Sequence, residues 1–235
     1  MSYLKNWDKN NWLSSRNYIK NFNKFILNLK SLNKSSRILD IGCGRGKIIG
    51  DLKSRLKLKF NPLGIDIVDH KDKDKRINFL KINAKSFFLK NKDFFDLIII
   101  KQTIHLIEQK KIKSLINNCK KRLNENGKIL IFSLDPNNNE LPTFGLMKER
   151  LDKSLKRDKK IFRFLYRLSI FKKPKKFSYK VRILKTDYIN MIKKKYISIL
   201  LTFSQKQIDE GIKEINHKYK KKIKFNDNLL CIIIE

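Results

Sequence analysis

Apolar positions along the chain follow two rhythms. Between Trp7 and Leu32 they return every third or fourth residue, at Trp12, Ile19, Phe22, Ile26 and Leu29, which predicts an amphipathic helix. Ser31 to Ser36 breaks that pattern, and short continuous apolar runs take over. Arg37–Ile41, Pro62–Val68, Ile77–Ile82, Phe95–Ile100 and Lys128–Leu134 each read as a buried strand. Helical periodicity returns between them at Lys47–Leu58 and Glu108–Leu123. Asn124-Glu-Asn-Gly127 reads as a turn, with Gly127 taking the positive φ of a helix end. Strands separated by helices predict βαβ units, and unbroken apolar strands are expected when helices cover both faces of a parallel sheet.

The rhythm changes at Asp135. Asp135–Glu140 is a polar loop, Leu146–Phe171 a basic helix, and Lys172–Lys176 a basic linker containing Pro174. Phe177–Leu184 reads as a strand, Thr186 as the N-cap of a helix over Asp187–Lys195, and Ser204 as the cap of another over Gln205–Tyr219. Leu229–Glu235 closes the pattern as a strand. The expected fold is α/β: a Rossmann-like, doubly wound, mainly parallel sheet with an α-helical cap insertion and an antiparallel C-terminal strand. It reads as a single domain over 1–235, with an N-terminal helical segment (1–35), a ligand-binding core (36–134), a lid or cap insertion (135–185) and C-terminal helices with the last strand (186–235).

Composition adjusts this picture in three places. The formal net charge is +34, carried by 56 Lys and Arg against 22 Asp and Glu. Such a charge invites a polyanion, but the basic residues are mostly Lys scattered among Asn and Ile, as AT-rich codons would give, so both a genomic bias and nucleic-acid binding stay open. Cys43, Cys119 and Cys231 form no CxxC pair and predict neither a disulfide framework nor a metal site. Met1–Asn11 lacks an apolar leader core, and no apolar run approaches the ~20 residues of a membrane span, so a cytoplasmic protein is expected.

The chemistry concentrates at Asp40-x-Gly42-x-Gly44-x-Gly46, directly after a strand and before a helix. Glycines there let the chain turn sharply and let a ligand approach the backbone. The spacing differs from the dinucleotide fingerprint, whose third glycine follows the second by three residues, and no Gly-Lys-Ser/Thr follows to make a phosphate loop.

Arg37-Ile-Leu-Asp-Ile-Gly-Cys-Gly-Arg-Gly-Lys47 resembles the first motif of the class I S-adenosylmethionine-dependent methyltransferases, most nearly the type-11 and type-25 domains. Leu63-Gly-Ile-Asp66 is similar to the second motif, Phe95–Ile100 to the fourth, and Leu123-Asn-Glu-Asn-Gly-Lys-Ile-Leu130 to the turn before strand five; together they cover roughly residues 36–134. The resemblance implies S-adenosyl-L-methionine as cofactor. Asp40 would face its amine, and the Gly42–Cys43–Gly44–Gly46 backbone would pass beneath its sulfonium and amino acid part. Asp66 would accept from the ribose hydroxyls. Asn83, standing where the family often has an acidic residue, would accept from the adenine amine. Ile67, Ala84 and Lys101 complete the implied cofactor set. The segment Tyr188–Ile232 resembles the tail of small-molecule members.

His105 follows strand four at the ligand edge of the sheet; a catalytic base and a packing histidine are both open readings, while His70 and His217 read as solvated. Arg16 and Gln102 are candidate acceptor contacts. The expected partner is a small-molecule acceptor. Methylation of RNA or protein stays open on the basic, aromatic run Leu155–Lys176, and a silent cofactor-binding module is the alternative outside enzymes.

Overall fold

The computed structural model describes residues 11–169 and 173–235. A seven-stranded sheet runs through its centre. Its strands are β1 (Ile38–Ile41), β2 (Leu63–Asp66), β3 (Asn78–Lys81), β4 (Phe95–Lys101), β5 (Leu123–Leu134), β6 (Lys175–Leu184) and β7 (Lys222–Ile234), in the order β3-β2-β1-β4-β5-β7-β6. The first five are parallel. β7 runs antiparallel between β5 and β6, pairing Leu134 with Leu229 on one side and Asp227 with Tyr179 on the other. The helices are α1 (Arg16–Leu29), α2 (Lys47–Leu56), α3 (Ala84–Lys90), α4 (Gln109–Lys120), α5 (Gly145–Tyr166), α6 (Lys185–Lys193) and α7 (Gln205–Lys218), with short 3₁₀ turns at Trp12–Ser14, Ile104–Leu106 and Ser198–Thr202. The fold is the expected Rossmann-like one.

Both faces of the sheet are covered, which is why β1 is buried at every position. Strand alternation sends Ile38, Leu97, Ile99, Leu130, Phe132 and Leu229 into one core with α1, α2, α6 and α7. It sends Leu39, Ile41, Ile98, Ile100, Ile129 and Ile131 into a second core with α3 and α4. Helix α5 joins the two. Met147, Leu151 and Leu155 pack in the first core and Ile161, Phe162 and Leu165 in the second.

Several local expectations need correction. The segment after β3 folds into α3, which the sequence reading left without structure; Asn83 caps it by accepting from the Ser86 N–H at 2.9 Å. Before the main run of β5 the positive φ falls on Asn126 (+59°), not on Gly127. Gly127 is required by close approach instead, because a Cβ would stand 2.9 Å from the carbonyl oxygens of Asn124 and Phe95. Thr186 lies inside α6, whose N-cap is Leu184. Ser204 does cap α7, in a reciprocal box with Gln207. The basic linker contributes Lys175 and Lys176 to β6, an edge strand of the sheet. Of the helix expected over Trp7–Leu32, residues 7–10 lie outside the described residues, as do Ile170, Phe171 and Lys172 of the basic run. Among the described residues no helix is long and apolar enough to cross a membrane.

Candidate active site

At the carboxyl edge of β1 the chain turns through Gly42, Gly44 and Gly46, all at positive φ (+75°, +56° and +69°). The N–H groups of Gly42 and Cys43 donate to the Ile65 carbonyl at 2.8 and 3.1 Å, so the loop hangs from β2. At Gly42 a Cβ would overlap the Thr103 side chain. Gly46 is the N-cap of α2 and supplies no side-chain cap, which leaves the first turn of that helix open to an acceptor from outside.

Asp66 ends β2 and fixes this loop. Its Oδ2 accepts from the Gly44 N–H and its Oδ1 from the Val68 N–H, each at 2.9 Å. His70 Nε2 stands 3.7 Å from Oδ2. Burial alone would raise the Asp66 carboxyl, but His70 and the two N–H donors outweigh it and hold it below the ordinary carboxylate value. His70 is therefore a buried supporting residue rather than the solvated one expected, whereas His217 is exposed.

Asp40 is buried, and its Oδ1 has no hydrogen-bond partner. Burial pushes its carboxyl up to about 7, opposed by Lys101 and reinforced by Asp66. The Lys101 ammonium lies over the rings of Tyr18 and Phe22, 5.4 and 5.3 Å from their centroids. An orphaned acceptor beside an open glycine turn fits the ammonium and carboxylate of an amino acid group, and so fits the implied cofactor.

A cavity of about 790 Å³ runs along this edge. Gly42, Asp66, Ile67, Asn83, Ala84, Lys101, Gln102 and His105 all line it; Asp40, Cys43, Gly44 and Gly46 are not among the lining residues, nor is Arg16, which is exposed. The Cys43 sulfur packs where a Cβ on Gly64 would collide with it. Asn83 reaches the cavity with its Oδ1 already engaged as the α3 cap, leaving one lone pair for a ligand. Gln102 is held at φ +55°, its N–H bonded to the Phe132 carbonyl at 2.8 Å. Strain of that kind at a strand end concentrates at functional sites. His105 sits on the 3₁₀ turn, where Arg157 from α5 donates to its backbone carbonyl at 3.0 Å. Burial and, less strongly, Arg157 push its imidazole down to about 4.

None of the residues at the far end of the cavity was singled out as a site residue in the sequence. Trp12, Leu134, Leu141, Tyr196, Leu201 and Asp227 close it, drawn from the N-terminal turn, the end of β5, the loop after it and the C-terminal third. The one available signal was Asp227, a carboxylate between Phe225 and Leu229 on the inward face of a strand.

An open sheet with its ligand cavity at the carboxyl ends of the parallel strands, a glycine turn after β1 and an acid ending β2 define the class I methyltransferase architecture. Residues 14–163 match the methyltransferase domain family, and the chain belongs to it. No curated protein matches the chain significantly. Among solved structures, a candidate methyltransferase from an antibiotic biosynthesis pathway of Anabaena variabilis is 15% identical, covering 90% of this chain and 96% of that one with a TM-score of 0.58. A candidate methyltransferase from Bacillus halodurans is 11% identical over the same shares, at 0.51. The plantazolicin methyltransferase BpumL, solved with a monoazolic desmethylPZN analogue and S-adenosylhomocysteine, is 15% identical over 97% of this chain and 87% of that one, at 0.50.

Proposed function

We propose that the protein transfers a methyl group from S-adenosylmethionine to a small-molecule acceptor. The observation that carries this reading is a single cavity running from the Gly42–Asp66 cradle into a mostly apolar chamber walled by Trp12, Leu134, Leu141 and Leu201. The methyl donor supplies an electrophilic carbon on its sulfonium. Asp40 would take its amine, the loop backbone its amino acid part, Asp66 its ribose hydroxyls, and Ile67, Asn83 and Ala84 its adenine.

The chain's own contribution is positioning, which can be worth on the order of 7–11 kcal/mol in favourable cases. His105 stays neutral around pH 7, and a base whose conjugate acid titrates near 4 is poorly matched to removing a proton there. We assign it to orienting the acceptor. Lys101 is committed to Asp40 and to two aromatic faces, which makes it a poor anchor for an acceptor carboxylate. Within the proposed cap, Leu141 faces the chamber and α5 braces the His105 turn, while β6 belongs to the sheet.

The test is transfer of tritiated methyl groups in a cell extract fractionated into small molecules, RNA and protein. Label in the small-molecule fraction is expected. Label confined to RNA would instead favour the diffuse positive charge as the functional feature.

A further inference from the structure

The chamber side of the cavity holds a carboxylate that the methyl-donor cradle does not use. Strand alternation places Asp40 on β1, Lys101 on β4 and Asp227 on β7 on the same face of the sheet, the one covered by α1. They form a diagonal polar row from the cradle to the chamber. Asp227 stands at its upper end, two residues beyond the Leu134–Leu229 pair, and lines the cavity. It is 1% exposed.

Trp12 Nε1 donates to Asp227 Oδ2 at 3.2 Å. The hydroxyl of Tyr18 faces the same carboxylate and Tyr196 feels its charge, while Tyr179 is the residue opposite Asp227 in the β6–β7 register. The Trp12 and Tyr196 rings meet edge to face at 5.7 Å. Among the described lining residues the carboxylates are Asp66 and Asp227, so Asp227 is the anionic group of the chamber end. Its neighbour Lys101 is shared with Asp40, one ammonium between two carboxylates.

We infer that Asp227, with the Trp12 and Tyr196 rings, holds the reacting nitrogen of an amine acceptor whose remaining body is apolar. This rests on the methyltransferase reading above and names the acceptor class for it. A carboxylate flanked by aromatic rings in an apolar chamber favours a cation. Burial also pushes the Asp227 carboxyl above its ordinary value, so the site gains from a positive partner.

The chemistry agrees. An ammonium held by Asp227 first gives up one proton to water, and the lone pair of the neutral amine then forms the new C–N bond as the S–CH₃ bond breaks, its electrons staying on sulfur. The positive charge passes from sulfonium to nitrogen, and no proton has to leave during transfer. Asp227 faces the place where that charge develops. A hydroxyl acceptor would need proton removal, for which the depressed His105 is poorly suited.

The experiment is calorimetric binding to protein saturated with S-adenosylhomocysteine. The probes are 4-phenylbutylamine, 4-phenylbutanol and 4-phenylbutanoate, matched in size and differing at the head. The amine should bind wild type at least about tenfold more tightly than the alcohol or the carboxylate. Asp227→Asn should lose about tenfold or more in amine affinity while its affinity for S-adenosylhomocysteine holds. Asp227→Glu should recover part of that loss. An amine that binds no better than the other two, or does not bind at all, overturns the assignment, as does an Asp227→Asn variant with wild-type amine affinity. The wild-type ranking stands even if a variant fails to fold. Failure of S-adenosylhomocysteine to bind wild type would strike the methyltransferase reading instead.

Discussion

Asp66→Ala removes the carboxylate that holds the N–H groups of Gly44 and Val68 and faces His70. Two consequences follow, and they separate. In the free protein, charge-assisted hydrogen bonds are worth about 1.5–3 kcal/mol each when removed, but water entering from the cavity will replace part of that, so a net loss of about 1.5–3 kcal/mol is expected. For a chain of this size that lowers Tm by roughly 3–12 °C. In the complex the ribose hydroxyls lose their acceptor. A further 1.5–3 kcal/mol would weaken S-adenosylhomocysteine by roughly ten- to 150-fold, read by calorimetry on variant that remains folded. Asp66→Asn should be nearly as damaging, because both carboxylate oxygens accept backbone N–H groups and an amide must turn its NH₂ against one of them. The folded Asp66 titrates below its ordinary value, so its contribution is present above the unfolded carboxylate pKa and is lost as pH falls through the folded one. A folded Asp66→Ala protein that binds S-adenosylhomocysteine as wild type does would refute the placement of the ribose.

Asp40 predicts the opposite pH behaviour. Its carboxyl is raised to about 7, so the folded state holds that proton longer than the unfolded chain and this group's effect on stability worsens from about pH 4 to 7. Affinity for S-adenosylhomocysteine should climb instead around pH 7, where the folded Asp40 ionises, and Asp40→Asn should flatten both profiles in pH-resolved melting and calorimetry. His105→Ala should lower kcat by less than about tenfold once an acceptor is in hand; a loss of a hundredfold or more would restore it as a general base. Gly42→Ala must place a side chain at φ +75° against Thr103, which costs at least about 1–2 kcal/mol and a Tm drop of several degrees; an unchanged melting curve would show that the loop relaxes freely.

How legible all this was in the sequence varies with the physics behind each part. β1, β4 and the core of β5 are mostly apolar runs buried on both faces, and nothing competes with that signal. The cradle was legible because Gly42, Gly44 and Gly46 do with backbone conformation what other residues do at a cost. α3 was missed because it is short, at seven residues, and buries only Phe87 and Phe88, too few to set a period. His70 misled because its loop is charged while the ring turns inward toward Asp66. The acceptor chamber left little trace beyond the inward Asp227, since it is assembled by tertiary contact: Trp12, read as part of the first helix, lies on a separate 3₁₀ turn, Tyr196 lies in a loop, and the register of β7 against β5 and β6 brings Asp227 to them.

The bond between Trp12 and Asp227 spans 215 residues of chain. The strands that carry the cradle all come before β6, and β1 to β5 pair among themselves. During synthesis, which proceeds from the N-terminus, a nascent chain released as far as Leu134 therefore already carries every strand that hangs the glycine turn. Its chamber does not exist until β7 pairs with β5, carries β6 on its other edge, and brings Asp227 to an indole made at the start. The strands of the cradle are thus all made before the last wall of the chamber, whose closing contact joins the two ends of the described chain.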